Sequence, residues 1–345
     1  MNKKLLSIII VFGLIFTSYT KAQSLDASLS GLADVAAKPY LKTVINSFGS
    51  NLNSGWVSQF PSTTKLDFHL DLKITATGSF FSDDKKTFSQ SGNVILSNSL
   101  IDLVLQGAGL QPGTQNYNSY KTALQNNPVN VNFSGPTIVG SKDDHVKLLL
   151  PSQAIGNTGY IIPQTTVNTE AKGLMGNLPA VPTATAQLTV GTVFGTNVAV
   201  RYLPEINIQD MGKLTFWGVG IIHNIGVWFP NPLPVDISVG YFYQKLKLGS
   251  ILETDASQIG AYVSKSVSIL TVYGGITTET SSTSVNYTYQ TNSTANGSTI
   301  TFKMDAENTA GAVVGFNLNL AIININADYK FAKTSTASAG ISFGF

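Results

Sequence analysis

The sequence has no cysteine, little charge and a single arginine. The absence of cysteine excludes disulfide scaffolds, thiolate zinc sites, iron–sulfur clusters, a lipid-modified cysteine anchor and a cysteine nucleophile. Charged residues make up 12% of the 345 residues, about half of the roughly 25% in ordinary soluble domains. With 21 Lys+Arg against 19 Asp+Glu, the chain has no basic face for nucleic acid. Hydrophobic residues make up 43% and there are 31 Gly, so we expect a folded chain, not a disordered one.

Residues 1–22 have the pattern of a secretory signal peptide. Two lysines precede an apolar run over residues 5–16, and Ala22 ends a segment suited to cleavage. The run is shorter than the ~20 residues that a membrane-spanning helix needs. We therefore expect export and removal of this segment; an uncleaved anchor is the alternative.

Two periodicities follow along the chain. Residues 25–56 have apolar side chains at helical spacing, and Pro39 and Gly49 predict a break into two short helices. From Lys65 the period becomes two: over residues 65–74, even positions are apolar and odd positions are charged or His. We expect residues 23–62 to form an N-terminal helical plug.

The same two-residue alternation recurs toward the C-terminus, and no proline follows Pro234. Only a closed sheet can satisfy its backbone in lipid, with an apolar outer face and a wet inner one. The prediction is an all-β fold over residues 63–345, a closed antiparallel transmembrane β-barrel of about 14 strands (12–16). Aromatic residues gather at membrane interfaces. The predicted girdle residues are Trp217, Trp228, Tyr241, Tyr243, Tyr262, Tyr273, Tyr287, Tyr289 and Tyr329.

Proline is concentrated in one part of the predicted barrel. Seven of the 13 Pro lie between residues 111 and 183. This predicts a loop-rich insert at about 106–184 with a few short strands, one of them at 144–150.

Three stretches resemble an uncharacterised family of predicted Gram-negative outer-membrane barrels: YLKTVINSFGSNLNSGW (40–56), LTVGTVFGTNVAVRYLP (188–204) and GVGIIHNIGVWFPNPLPVDISVG (218–240). The final Ile341-Ser342-Phe343-Gly344-Phe345 resembles the insertion signal read by the barrel assembly machinery, with Ile341, Phe343 and Phe345 as its apolar positions. The layout is also distantly similar to long-chain fatty acid transporter type barrels. That resemblance implies a plug inside about 14 strands and hydrophobic cargo.

The sequence offers no enzyme motif or cofactor site. The three histidines have no metal-ligand spacing, and Asp143-Asp144-His145 has no accompanying GxSxG motif. We predict no enzymatic activity, no metal and no cofactor.

The candidate ligand-binding residues of the lumen are Arg201, Glu205, His223 and Asp236. Arg201 lies on the polar phase of its strand, so it faces the lumen. It forms either a structural salt bridge, with Glu205 or Asp236 for example, or a contact to the carboxylate of an amphipathic ligand. The side to which His223 points is left open. Three nearby glycines predict a bulge or bend: Gly218, Gly220 and Gly226.

The functional prediction is an outer-membrane channel or transporter for passive uptake of a small hydrophobic or amphipathic compound. One alternative is a non-transporting outer-membrane barrel with a structural, adhesive or assembly role. A second is a soluble exported β ligand-binding protein. The expected partners are outer-membrane lipid, the barrel assembly machinery and a hydrophobic small molecule, with no nucleic acid. The expected location is the outer membrane of a Gram-negative cell.

Overall fold

The protein is described by a computed structural model over residues 33–57, 59–64, 66–176, 178–208, 212–288 and 299–344. A π-helical turn (Ala33–Ala37) leads into helix α1 (Lys38–Leu52), and two more helices are α2 (Asn98–Gly107) and α3 (Gln115–Asn126). Short 3-10 turns occupy Asp83–Lys85 and Ile225–Trp228. No helix in these ranges is long and apolar enough to cross a membrane.

The strands are, in chain order, β1 (Leu66–Phe80), β2 (Thr87–Val94), β3 (Val129–Pro136), β4 (His145–Leu150), β5 (Gln153–Ala154), β6 (Ile161–Ile162), β7 (Thr165–Lys172), β8 (Ala180–Val193), β9 (Thr196–Ile208), β10 (Gly212–Asn224), β11 (Asp236–Leu248), β12 (Leu252–Val267), β13 (Leu270–Thr288), β14 (Thr299–Asp305), β15 (Ala310–Leu320), β16 (Ile323–Phe331) and β17 (Thr336–Gly344).

Ten of these strands close into one antiparallel barrel. The order around the wall is β1, β8, β9, β10, β11, β12, β13, β15, β16 and β17, and β17 pairs back with β1. Lys73 on β1, for example, is opposite Gln187 on β8 and opposite Ser342 on β17. Strand β14 lies outside the ring and pairs with residues 282–288 of β13. Closure pairs the wall strands on both sides, which removes the edges of a sheet.

The all-β closed antiparallel barrel is confirmed, but the predicted number of about 14 strands (12–16) is wrong. That number assigned about 20 residues to each strand along nearly the whole chain. In the structure, residues 81–179 lie between β1 and β8 and add nothing to the wall. The wall strands β12 and β13 are also long, with 16 and 19 residues. Because the insert is separate and the wall strands are longer, the wall has ten strands.

The two ends of the barrel differ. We call the end where β1 begins and β17 stops the lower end, and the opposite one the upper end. The lower connections are residues 194–195, 225–235, 268–269 and 321–322. The two longest connections, 81–179 and the 289–309 segment that contains β14, both lie at the upper end.

The insert, residues 81–179, folds as a small domain. Strands β2, β3, β4 and β7 form an antiparallel sheet, and α2 packs against β7 and α3. Its core includes the fully buried Leu100, Phe133 and Leu148. The insert differs from the predicted 106–184 segment because its first part, with β2 and α2, contains no proline and so gave no loop signal. The strand predicted at 144–150 corresponds to β4.

The outward side chains of the wall form an apolar belt. On β1, exposed Leu66, Phe68 and Leu72 alternate with buried Asp71 and Lys73, as the two-residue period predicted. Exposed apolar side chains recur on the other nine wall strands, among them Leu188, Val200, Val219, Tyr241, Ile259, Ile276, Val314, Ile325 and Ile341.

The N-terminal segment, residues 33–64, runs through the barrel from the upper to the lower end. Near the upper end, the backbone N–H of Ile138 in the insert donates to the carbonyl of Tyr40 (3.1 Å). At the lower end of β10, Asn224 Nδ2 donates to the carbonyl of Pro61 (2.8 Å). The chain then enters β1 at that same end.

In the described part of the segment, helix α1 continues through Gly49, where the sequence predicted a break. Pro39 lies in its first turn, where the missing N–H would have no intrahelical partner anyway. Gly49 lies inside it, and a Cβ there would stand 2.7 Å from Ser281 Oγ and 2.9 Å from Ala306 Cβ. The glycine thus allows close approach to the wall and does not end the helix. Residues 23–32 of the predicted plug lie outside the described residues.

Two tyrosines of the predicted girdle point into the barrel. Tyr262 and Tyr273 are buried in the lumen. A Cβ on Gly260 or Gly275 would collide with the Tyr262 ring, so these glycines make room for it. Tyr289 lies outside the described residues. The girdle residues found on the outside of the barrel are Trp217, Trp228, Tyr241, Tyr243 and Tyr329.

Candidate functional site

The lumen has a polar side and an apolar side. The polar side comes from the inward positions of β1, β8, β16 and β17, and its buried residues include Asp71, Lys73, Gln187, Asn326, Asp328 and Lys330. The apolar side comes mainly from β10 to β13, and its buried residues include Ile222, Phe242, Tyr262 and Tyr273. The N-terminal segment lies between the two sides and contacts both.

Arg201 on β9 binds both the backbone and a side chain of the N-terminal segment. Its Nη2 donates to the carbonyl of Ser54 (3.0 Å), and its Nη1 donates to the carbonyl of Leu52 (3.4 Å). Its Nε donates to Gln187 Oε1 (3.0 Å). The guanidinium plane lies over the Trp56 ring, 3.8 Å from the ring centroid. This arrangement uses the donor fork and the flat face of arginine together.

Lys73 on β1 binds the next carbonyls along the segment. Its Nζ donates to the carbonyls of Gly55 (2.9 Å) and Trp56 (3.1 Å). Gln187 Nε2 also donates to the Trp56 carbonyl (3.1 Å). All these groups are buried. A buried ammonium therefore has its positive charge compensated by backbone oxygens of the segment.

Lys330 on β16 binds the end of α1. Its Nζ donates to the carbonyls of Ser50 (3.2 Å) and Asn53 (3.4 Å), and it forms an ion pair with Glu279 Oε2 (2.7 Å). The last carbonyls of a helix have no intrahelical partner, and positive charge is favourable at that end. Lys330 and Arg201 thus satisfy the C-terminal end of α1 inside the barrel.

Aromatic rings fill the apolar side of the lumen. Trp56 stacks on Phe242 with 4.9 Å between ring centroids, and Phe60 meets Tyr273 edge-on at 5.3 Å. A Cβ on Gly220 would stand 2.5 Å from the Phe242 ring and 3.2 Å from Trp56. The predicted bulge at the glycines is therefore wrong for Gly220, which makes space for rings. The register of β9 and β10 instead shifts between residues 214 and 216.

Small cavities adjoin the segment inside the barrel. Two cavities border Trp56 and Val57, one toward Tyr262 and the other toward Asn197, with a volume of about 20 Å³ each. Such a volume holds about one water molecule. Trp56 and Val57 of the N-terminal segment thus lie between these two small cavities inside the barrel.

Several buried polar atoms of the lumen have no hydrogen-bond partner among the described residues. They include Thr75 Oγ1, Glu279 Oε1, Asn326 Oδ1 and Ser338 Oγ. Buried polar groups in proteins are nearly always hydrogen-bonded, to protein or to water. The polar side of the lumen thus contains buried hydrogen-bonding groups that the described residues leave unpaired.

The structure does not bring the four predicted ligand-binding residues together. Arg201 faces the lumen as predicted, but neither Glu205 nor Asp236 is its partner. Glu205 forms an exposed ion pair with Lys213 near the upper end (2.7 Å between Nζ and Oε2). The guanidinium is bound instead by carbonyls, amides and an indole, which sequence spacing does not indicate.

His223 and Asp236 lie at the lower end. Trp228 Nε1 donates to His223 Nε2 (2.8 Å), so the other ring nitrogen carries the proton and donates to Thr196 Oγ1 (2.9 Å). Asp236 Oδ1 accepts from Asn224 Nδ2 (3.0 Å). These contacts fix the start of β11 and the lower end of β10, far along the barrel from Arg201.

The predicted insertion signal lies on the last strand. Ile341 and Phe343 are exposed on the outer face of β17. Phe345 lies outside the described residues.

The sequence reasoning missed Lys73, Lys330 and Trp56. Both lysines occupy polar positions of alternating strands, which is the available signal that they face the lumen. The sequence does not show that their partners are carbonyls of the N-terminal segment. No group of three or more His, Asp or Glu side chains that could hold a metal ion occurs in the described ranges.

Above the barrel, an ion pair joins α1 to the connection after β14. Lys42 Nζ lies 2.5 Å from Glu307 Oε1, and this contact lowers the pKa of Glu307 below its ordinary value of 4.5. Nearby, the Tyr40 hydroxyl donates to the carbonyl of Lys172 in the insert (2.7 Å), and burial raises the pKa of Tyr40. The upper half of the N-terminal segment is therefore bound to both the insert and the barrel.

Comparison with known proteins identifies the family of the chain but no activity. A model described as "Family of unknown function (DUF6588)" matches residues 1–345, and the chain belongs to this family. No curated protein matches the chain.

Among solved structures, the outer membrane protease OmpT of Escherichia coli is 10% identical, with 82% of this chain and 100% of that chain covered and a TM-score of 0.28. Ail, the attachment invasion locus protein of Yersinia pestis, is 8% identical, with 81% and 100% covered and a TM-score of 0.25. The outer membrane channel DcaP of Acinetobacter baumannii is 8% identical, with 84% and 100% covered and a TM-score of 0.19. Scores this low carry no argument, so the barrel rests on its own strand pairing.

Proposed function

We propose that this member of the DUF6588 family is an outer-membrane β-barrel, closed by its own N-terminal segment, that anchors residues 81–179 at the outer surface of a Gram-negative cell. The main observation that supports a closed barrel is the set of hydrogen bonds from Arg201, Lys73 and Lys330 of the wall to backbone carbonyls of the segment. In this role the barrel is an anchor, and the insert is the part that meets the surroundings.

The apolar belt supports a membrane location. Large apolar side chains are exposed on all ten wall strands. A soluble protein seldom exposes so large a contiguous apolar surface. In a bilayer the same belt faces lipid, and the closed strand pairing satisfies the backbone. The partner of this surface is therefore outer-membrane lipid.

The lengths of the connections support the orientation. Outer-membrane barrels have short periplasmic turns and longer extracellular loops. The two longest connections, 81–179 and 289–309, leave the upper end, so the upper end faces outward. The N-terminal segment starts at that end. This arrangement needs export of the chain, for which residues 1–22 supply the signal, and insertion by the barrel assembly machinery at Ile341, Phe343 and Phe345.

The contacts of the N-terminal segment support its role as a plug. Buried hydrogen bonds to charged groups are worth about 1.5–3 kcal/mol each. Removing the plug would break these hydrogen bonds of Arg201, Lys73 and Lys330, and water would have to replace the carbonyls. The ion pair of Lys330 with Glu279 remains within the wall. The plug is thus bound by the wall over the length of the lumen, and the resting barrel is closed.

A second candidate is passive uptake of a small amphipathic compound after displacement of the plug. The observation in its favour is the two-sided lumen: Trp56, Val57 and Phe60 cover an apolar surface that lies opposite a polar one. Displacement of the plug would expose a passage with one apolar side and one polar side. In this reading Arg201 would bind the carboxylate of the compound in place of the plug carbonyls.

Cysteine labelling on intact cells tests the proposed anchor, because the chain has no cysteine of its own. The variants are Asn157→Cys in the insert, Asp34→Cys at the start of the N-terminal segment and Asn231→Cys in a lower connection, all at exposed positions. We expect a membrane-impermeant maleimide to label Asp34→Cys and Asn157→Cys on intact cells. Asn231→Cys should be labelled only after the outer membrane is permeabilised.

The labelling pattern of the three variants distinguishes the proposed orientation from its alternatives. Labelling of Asn231→Cys but not of Asn157→Cys on intact cells would reverse the orientation. Labelling of none of the three before permeabilisation, together with solubility without detergent, would replace the barrel anchor with a soluble exported protein.

A further inference from the structure

The solvent side of α3 carries no charge. Its one charged residue, Lys121, forms an ion pair with Asp102 on α2 (2.6 Å). Solvent faces of helices carry charged or polar residues, and here the polar residues are all uncharged. Amides and hydroxyls occupy one stripe at helical spacing instead: Gln115, Asn118, Ser119, Thr122 and Asn126. Asn, Ser and Thr are weak helix formers, so helix stability does not explain this face.

The stripe forms one side of a groove in the insert with a volume of about 730 Å³. The other side is the connection between β5 and β6, with exposed Thr158 and Tyr160. Tyr120 holds that connection in place: its hydroxyl donates to the carbonyl of Ile161 (3.1 Å), and its ring lies 4.9 Å from the Tyr160 ring. The groove is therefore built from two elements that are bound to each other.

We propose that this groove binds a neutral oligosaccharide. Amide and hydroxyl side chains both donate and accept hydrogen bonds, which matches the adjacent hydroxyls of a sugar ring. Tyr160 is 36% exposed, and its ring offers an apolar surface for the C–H face of a pyranose. None of the described residues that line the groove is charged, so an anionic or cationic ligand would find no counter-charge. The volume of about 730 Å³ is large enough for more than one sugar ring.

This inference goes beyond the anchor function and does not need it. The groove lies wholly within the insert, so the purified full-length protein tests it in any membrane orientation. Failure of the sugar test would leave the labelling test of the anchor unaffected, and the reverse also holds.

The experiment measures binding of defined sugars to the protein in a detergent without a sugar headgroup. The probes are maltohexaose, cellohexaose and chitohexaose, with an oligogalacturonate as the anionic comparison, observed by saturation-transfer NMR and titration. We expect at least one neutral hexasaccharide to bind and the oligogalacturonate to bind more weakly. Tyr160→Ala and Asn118→Ala should each weaken binding about tenfold, the effect of losing one stacking or hydrogen-bonding contact.

Two control variants separate a binding role from a folding role. Gln125→Ala removes an exposed amide of the same helix that is bonded to Asn98 and does not line the groove. It should leave the affinity unchanged, and Tyr160→Phe, which keeps the ring, should retain binding. The proposal would be overturned if no neutral probe binds, if the oligogalacturonate binds best, or if Tyr160→Ala and Asn118→Ala bind like the native protein.

Discussion

The guanidinium of Arg201 lies 3.8 Å from the centroid of the Trp56 ring inside the barrel. A stacked guanidinium keeps its N–H groups free in the plane, and here they donate to carbonyls of Leu52 and Ser54. The one arginine of the chain thus holds a ring and the backbone of the same segment. These contacts connect the wall to the plug, whereas an ion pair with another wall residue would connect only two strands of the wall.

Replacing Arg201 should loosen the plug without removing the wall. Arg201→Met keeps a long apolar side chain but loses the stacking charge and the donors. The lost charged hydrogen bonds are worth about 2–3 kcal/mol, so amide hydrogens of residues 54–56 should exchange about a hundredfold faster. Lys213→Met, which removes an exposed cation of the neighbouring strand, should leave these rates unchanged. Equal rates in the native and Arg201→Met proteins would contradict the role assigned to Arg201.

The alternating strands are the part of the fold that the sequence predicts well. In β1 the exposed Phe68 and Leu72 and the buried Asp71 and Lys73 follow directly from a two-residue period. The number of strands does not follow, because periodicity does not separate a wall strand from a strand of the insert such as β4. Where both faces of a strand are apolar, the sequence also does not show whether an aromatic residue points into or out of the barrel. Tyr262 points inward because Gly260 and Gly275 leave space for it, and this depends on register.

Adding a methyl group at Gly49 should destabilise the protein. In an ordinary helix interior, Gly→Ala stabilises by about 0.5–1 kcal/mol. Here a Cβ would stand under 3 Å from Ser281 and Ala306, so the helix or the wall must shift. We expect Gly49→Ala to lower the free energy of unfolding by about 1–3 kcal/mol, measured by denaturant titration of the refolded barrel. A gain in stability would show that α1 does not lie this close to the wall.

The ion pair between Lys42 and Glu307 should weaken in acid. The pKa of Glu307 is lowered in the folded protein, so the pair contributes stability above the ordinary value of 4.5 and loses it as the pH falls through the lower folded pKa. Both side chains are partly exposed, at 53% and 35%, so the contribution is only about 0.5 kcal/mol. Thermal unfolding at low salt should show Lys42→Met less stable than the native protein at neutral pH. The difference should vanish in acid, and a difference that persists there would assign the effect to packing.

A disulfide should join the plug to the insert. A Cβ on Gly92 would lie 3.8 Å from the Cβ of Val35, which is the usual Cβ separation in disulfides. We expect Val35→Cys/Gly92→Cys to oxidise on export and to migrate differently on a gel until reductant is added. Asp34→Cys/Gly92→Cys, one residue away, should remain reduced. Failure of the first pair to oxidise would place the π-helical turn before α1 away from β2.

The candidate site was predictable only in part. The lumen facing of Arg201 follows from its polar phase on β9, but its partners do not. They lie some 150 residues earlier in the chain and are backbone carbonyls, which no side-chain pattern marks. Closeness in sequence predicts Glu205 or Asp236 as the partner of Arg201, yet Glu205 pairs with Lys213 and Asp236 with Asn224. The proline pattern does not predict the groove of the insert, because it indicates only a loop-rich segment where α3 and the connection before β6 lie.

Electrical conductance of the native protein in planar lipid bilayers tests the central claim most directly. The three wall cations hold the plug in place, and the spaces beside Trp56 are about 20 Å³ each. The closed barrel therefore predicts the conductance of a protein-free bilayer, without discrete steps, for protein shown to be folded by its heat-dependent gel mobility. Stable, discrete conductance steps from the native protein would contradict it and would favour the channel.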